Sequence, residues 1–118
     1  MGLPDRLKKK KNSPDFSGIT QAEAQGMLEK GELELLYLVD PRFGGSEKMD
    51  NCLYVPAGTA AVKEHFDDVV EQLLIEGKVK GYDCRPSYKN GSVVPCSIVM
   101  RVTDRNKKEV LHELIEIW

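Results

Sequence analysis

Val62, Phe66, Val69, Val70, Leu73 and Leu74 recur at the i, i+4, i+7, i+8, i+11, i+12 spacing of one apolar stripe on a helix. An amphipathic helix needs a cover for its apolar side, and Gly77 ends this one before it can fold back on itself. The cover must come from the segments around it, and these have strand chemistry. Leu33 to Val39 is a nearly continuous apolar run closed by Asp40-Pro41, too short to stand as a helix, and reads as a buried strand. Cys52 to Val55, closed by Pro56, reads as a second strand. Beyond the helix, two further strands, about Val79 to Tyr88 and Ser92 to Thr103, flank the hairpin dipeptide Asn90-Gly91.

Two shorter helices complete the reading. Thr20 and Glu23 have capping-box spacing and Gly31 supplies a stop. Near the other end, Asn106 followed by Glu109 predicts a helix start, with Val110, Leu111, Leu114, Ile115 and Trp118 as its apolar face. The order is α-β-β-α-β-β-α. The expected fold class is α+β: a two-layer sandwich with a mostly antiparallel four-stranded sheet and helices packed on one face.

A chain of 118 residues, 41% hydrophobic and 31% charged, suits one such domain. Residues 1–18 are polar and broken by Pro4, Pro14 and Gly18, and read as a flexible basic tail ahead of a single domain over 19–118. Five basic residues against two acidic ones give the tail a net +3, so a chain of formal charge −2 leaves −5 on the remainder.

Pro86 and Pro95 bracket the Asn90-Gly91 turn. Lacking the N–H that a ladder needs, they are expected where pairing stops. With a two-residue turn, paired residue numbers sum to 181 and Pro86 faces Pro95. With a three-residue bulged loop they sum to 180, and Tyr82, Cys84 and Tyr88 share a face with Val94, Cys96, Ile98, Met100 and Val102. A bulge near Arg85 reconciles the two: a free, projecting arm above a packed sheet. In the lower register Cys84 faces Cys96, and a reducing cell keeps both as thiols.

Three cysteines without a CxxC suggest neither a disulfide framework nor a zinc ribbon, and a reduced, cytoplasmic location is expected. No apolar run approaches the roughly 18–20 residues of a membrane span, so no membrane partner is expected. Glu64, Asp67, Asp68 and Glu71 fall on one helix face beside His65 and read as a solvated surface. A metal shell would need ligands from elsewhere. His65 and His112 are the only histidines and nothing brings them together. No catalytic set, metal or cofactor is expected.

The leading expectation is a small non-enzymatic protein-interaction or accessory module that meets a protein partner, or a second copy of itself, through the projecting hairpin. Its contact residues would be Arg85, Tyr88, Lys89 and Val93. A second expectation is weak nucleic-acid binding through Lys8, Lys9, Lys10 and Lys11 of the tail and Arg101 of a basic sheet face. The stacking aromatics of a single-strand platform are missing from that face. A third is a small-ligand site at Arg42, Phe43, Gly44 and Gly45, where a glycine-rich loop offers amides to an anion.

Overall fold

The computed structural model describes residues 15–118. Helix α1 (Gln21–Glu29) begins as expected. The Thr20 hydroxyl accepts from the Glu23 N–H, and the Glu23 carboxylate accepts from the Thr20 N–H. Strands β1 (Leu33–Tyr37) and β2 (Cys52–Pro56) pair antiparallel, with Leu35 opposite Tyr54. Helix α2 (Thr59–Ile75) carries the apolar stripe. Strands β3 (Gly81–Ser87), β4 (Ser97–Thr103) and β5 (Glu109–Glu116) then form an antiparallel meander in that order.

The fold class is α+β with antiparallel sheets, but the single four-stranded sheet is replaced by a two-stranded and a three-stranded one. The reason lies in β2. Its Leu53 and Val55 enter one core cluster with Cys84, Ile98 and Met100, while Tyr54 enters another with Phe16, Ala24, Leu33 and Val94. A strand buried on both faces is a wedge between two cores rather than one more strand of the larger sheet.

The segment read as the last helix is strand β5. Leu111 and Ile115 are four residues apart, a spacing shared by a helical face and an alternating strand, so the pattern alone does not separate them. The turn before them does. The Asp104 carboxylate accepts from the Asn106 and Lys108 N–H groups, and Lys107 takes a positive φ of 64°. That is hairpin-turn chemistry, and it sends residues 109–116 back along β4.

The register of β3 with β4 also differs. Paired numbers sum to 184, with Pro86 opposite Ile98 and Cys84 opposite Met100. Asn90 and Gly91 do form a positive-φ turn, closed by Ser92 N–H to the Lys89 carbonyl. The chain on either side then leaves the ladder. Val94 and Pro95 are buried, Val93 N–H donates to the Ile19 carbonyl, and Gly18 N–H donates to the Asn90 carbonyl. The projecting arm is therefore a packed loop, and Pro95 never meets Pro86. Burying Val94 against α1 and Trp118 outweighs the ladder bonds that a longer hairpin would add. Because 184 and 180 are both even, the expected inward faces survive: Tyr82 and Cys84 still share a side with Ile98, Met100 and Val102.

Helix α2 starts at Gly58, which has no side chain to cap it. Glu34 of β1 supplies the cap instead, accepting from the Gly58 and Ala60 N–H groups at 2.9 and 2.8 Å. Glu34→Ala should therefore cost about 1 kcal/mol, as loss of a cap does, and Glu34→Gln less. Urea unfolding of the three proteins checks this, and an unchanged midpoint for the alanine variant would refute it. Phe16, ahead of α1, is buried, and its ring meets Trp118 edge-on.

A candidate interaction surface

Helix α2 covers the inner face of the three-stranded sheet with only part of its stripe. Val70 is fully buried, and Phe66 and Leu73 pack against the core. Val62 and Val69, seven residues apart on the same helix, stay 57% and 43% exposed. They look along the sheet towards β5, the last strand of the meander. Between them lies an open groove of about 600 Å³ with Phe66, Met100, Leu111 and Ile115 in its lining. Val110 and Leu114 of β5 are also more than two-fifths exposed. The surface is apolar in both layers of the fold.

The outer edge of β5 meets no strand among the described residues. Its backbone parity follows from two bonds. Ile117 N–H donates to the Cys96 carbonyl on the β5 side of β4, and the Thr103 carbonyl accepts from Lys80 N–H on the β3 side. Leu111, Glu113 and Ile115 therefore bond to β4, and the backbone groups of His112 and Leu114 point away from the sheet. Val110 is the extra residue of a bulge between Thr103 and Val102 partners, which leaves Leu111 to Glu116 in regular pairing. Glu113 and Glu116 lie on this strand, and Glu109 at its start pairs with Arg101.

The other edge, β3, carries Pro86. Residues 81, 83, 85 and 87 bond to β4 by the same parity, so the Pro86 nitrogen lies on the open side, where a missing N–H costs nothing and blunts the edge. The two edges of one sheet are thus unequal: one blocked, one open.

The sequence-derived candidates are scattered around this surface rather than on it. Arg85 is exposed and pairs with Asp83 at 2.8 Å. The Lys89 ammonium lies over the Trp118 ring, 4.9 Å from its centroid. Tyr88 and Val93 line a different cleft of about 520 Å³, with Gln21, Met49, Leu53 and Tyr54. Arg101 pairs with Glu109 at 3.0 Å, so the outer sheet face alternates in sign instead of being uniformly basic. Lys8 to Lys11 lie outside the described residues.

The Arg42–Gly45 loop is an internal clamp. Arg42 and Phe43 N–H groups donate to Asp40, Gly44 N–H to Pro41, and Gly45 N–H again to Asp40, which leaves none of the four amides for an anion. The Arg42 side chain reaches Asp68 at 2.8 Å and Glu71 at 3.1 Å, and the Asp68 bond holds its guanidinium more firmly charged. Phe43 meets the Tyr82 ring edge-on at 5.4 Å. A Cβ at Gly45 would overlap the Val39 carbonyl, so only glycine lets the loop cross there.

The expected carboxylate face is therefore divided. Asp68 and Glu71 hold Arg42, while Asp67 is turned inward and is only 2% exposed. It accepts from Lys63 Nζ at 2.8 Å and, through its other oxygen, from the Tyr82 hydroxyl. Burial, reinforced by that bond to Asp67, pushes the Tyr82 phenol far above its ordinary range. Burial likewise raises the neighbouring Cys84 thiol. The i, i+4 spacing of Lys63 and Asp67 resembles that of any exposed helix pair, and nothing in the sequence marks this one as buried. No three His, Cys, Asp or Glu side chains converge as a metal site among the described residues. No described helix is long and apolar enough to cross a membrane.

No family model matches the chain, and no curated protein and no solved structure is similar to it.

Proposed function

We propose that this chain is a protein-interaction module whose working surface is the outer edge of β5 together with the flank of α2 above it. The observation that carries this reading is the coincidence of unpaired strand edge and apolar surface. The outward backbone groups of His112 and Leu114 lie beside Val62, Val69 and the groove they border. An open edge recruits a strand through main-chain hydrogen bonds, and the adjoining apolar surface adds burial and selects the partner's alternate side chains. Glu113, which lines the groove, favours a partner strand that brings a lysine or arginine there among its apolar residues. The blocked β3 edge directs pairing to one side only.

A labelled peptide of about eight residues alternating valine and lysine should bind the full chain, with an affinity that falls as salt rises. A copy with proline at its centre should bind at least about tenfold more weakly, because it interrupts the new ladder. Leu114→Lys should weaken the parent peptide by a similar factor. Fluorescence anisotropy reads all three. Equal binding of the proline peptide, or indifference to Leu114→Lys, would rule out this edge as the site.

A further inference from the structure

We infer that Asn90-Gly91 is a site at which the chain modifies itself, converting Asn90 to isoaspartate or aspartate at a rate governed by the segment from Asp15 to Ile19 that straps the turn. Among the asparagines of the chain, only Asn90 precedes glycine. The reaction consumes only water. The Gly91 backbone nitrogen bonds to Asn90 Cγ, the Cγ–Nδ2 bond breaks, and Nδ2 leaves as ammonia with the Gly91 amide proton. The cyclic succinimide then takes up a water molecule. Opening at the new Cγ–N bond gives aspartate. Opening between that nitrogen and the Asn90 carbonyl carbon gives isoaspartate, whose backbone runs through the side chain.

The turn presents the nucleophile openly. Asn90 and Gly91 are both exposed, and a Cβ placed on Gly91 would meet nothing within 4 Å, so nothing screens the nitrogen. The Gly91 N–H has no acceptor among the described residues, so its proton is not held by a hydrogen bond. The other described asparagines differ. Asn51 donates from its side-chain nitrogen to the Val39 and Ser46 carbonyls, each at 2.7 Å. Asn106 is followed by Lys107, whose Cβ stands beside the nitrogen that would attack.

The electrophile is restrained by the strap. Asn90 Nδ2 donates to Ser17 Oγ at 3.1 Å, and the Ser17 hydroxyl donates on to Asp15 at 2.6 Å. The Asn90 carbonyl accepts from Gly18 N–H at 2.8 Å, and the Ile19 carbonyl accepts from Val93 N–H at 3.0 Å. Phe16, buried and edge-on to Trp118, anchors the strap. Bringing Cγ over the Gly91 nitrogen requires rotation about the Cα–Cβ and Cα–C bonds of Asn90. The first rotation breaks the bond to Ser17, and the second swings the carbonyl away from Gly18. Ring closure therefore waits on release of the strap. Conversion then hinders its return. A carboxylate replaces the amide donor, and the single Ser17 hydroxyl proton cannot serve both it and Asp15.

The full chain is incubated at mildly alkaline pH and its peptides are mapped by mass spectrometry. Asn90 should convert at least about tenfold more slowly in the folded wild type than in a synthetic peptide of residues 85–95. Ser17→Ala, a change at an exposed side chain, should convert Asn90 about threefold to tenfold faster than wild type, the rate equivalent of one lost hydrogen bond. Phe16→Ala, measured below its own thermal midpoint, should also be faster than wild type. In Ser17→Ala, Asn106 should lag Asn90 by at least about tenfold. Converted wild type, separated by anion exchange, should melt at a lower temperature than the unconverted protein. A folded wild type as fast as the peptide, a rate unmoved by Ser17→Ala, Asn106 keeping pace with Asn90, or an unchanged melting temperature after conversion would each overturn the assignment.

Discussion

Asp67→Ala should lose about 3–5 kcal/mol of unfolding free energy, the range for removing one partner of a buried ion pair. Lys63 and Asp67 are each 2% exposed, and the ammonium sits 2.8 Å from the carboxylate. Without Asp67 the ammonium keeps its desolvation cost and loses its counter-charge, and the Tyr82 hydroxyl loses its acceptor. The face of the Tyr82 ring, 5.6 Å from Lys63 Nζ, offsets only a small part of that. The double replacement Lys63→Met with Asp67→Leu should cost much less than Asp67→Ala, because both charges leave together and apolar side chains of similar volume take their place. Urea unfolding of the single and double variants measures the difference as a shift in midpoint at constant slope. An Asp67→Ala protein within about 1 kcal/mol of wild type would mean that water reaches the pair.

The second large effect belongs to the chain's last residue. Trp118→Ala should cost about 2–4 kcal/mol, somewhat below the range for a fully buried aromatic because Trp118 is half-buried. The indole N–H donates to the Val94 carbonyl at 3.1 Å, and the ring meets Phe16 edge-on at 6.1 Å. Alanine removes the ring between Phe16 and Lys89 and leaves the Val94 carbonyl in the interior without its donor. The backbone bonds of Ile117 and Trp118 to Cys96 remain, so β5 should stay in register. The loss should therefore be local: limited trypsin digestion should cut after Lys89 much faster in Trp118→Ala than in wild type. Trp118→Phe should recover most of the packing but not the hydrogen bond. If cleavage at Lys89 were unchanged, the loop from 88 to 96 would owe its place to something other than Trp118.

These two sites show where sequence patterns lose their hold. Lys63 and Asp67 have the spacing of a solvated helix pair, and residues distant in sequence, Tyr82 of β3 and Leu36 of β1 among them, close around them. Asn90 and Gly91 announce a turn correctly, but the residues around them are drawn off the ladder by Phe16, Ala24, Leu33 and Trp118, which are distant in sequence. Val62 and Val69 are legible as part of a stripe, but their exposure depends on where the sheet ends. Val110, His112 and Leu114 were out of reach once residues 106–118 read as a helix, although β-branched Val110 and Ile115 and the Asp104 turn were signals for a strand.

What the sequence alone determined is local and periodic. It set the Thr20–Glu23 cap, the amphipathic α2, the turn at Asn90-Gly91 and the inward parity of β3 and β4. These depend on backbone conformations and repeats that a few neighbouring residues specify by themselves. The tertiary structure decided the rest: the shift of the hairpin register from 180 to 184, the strand at 109–116, the split into two sheets, and the part of the α2 stripe left uncovered. A period of two distinguishes inside from outside but cannot tell one even register from the next. That choice falls to the burial of Val94, whose partners Ala24, Leu33 and Trp118 are brought within reach only by the fold.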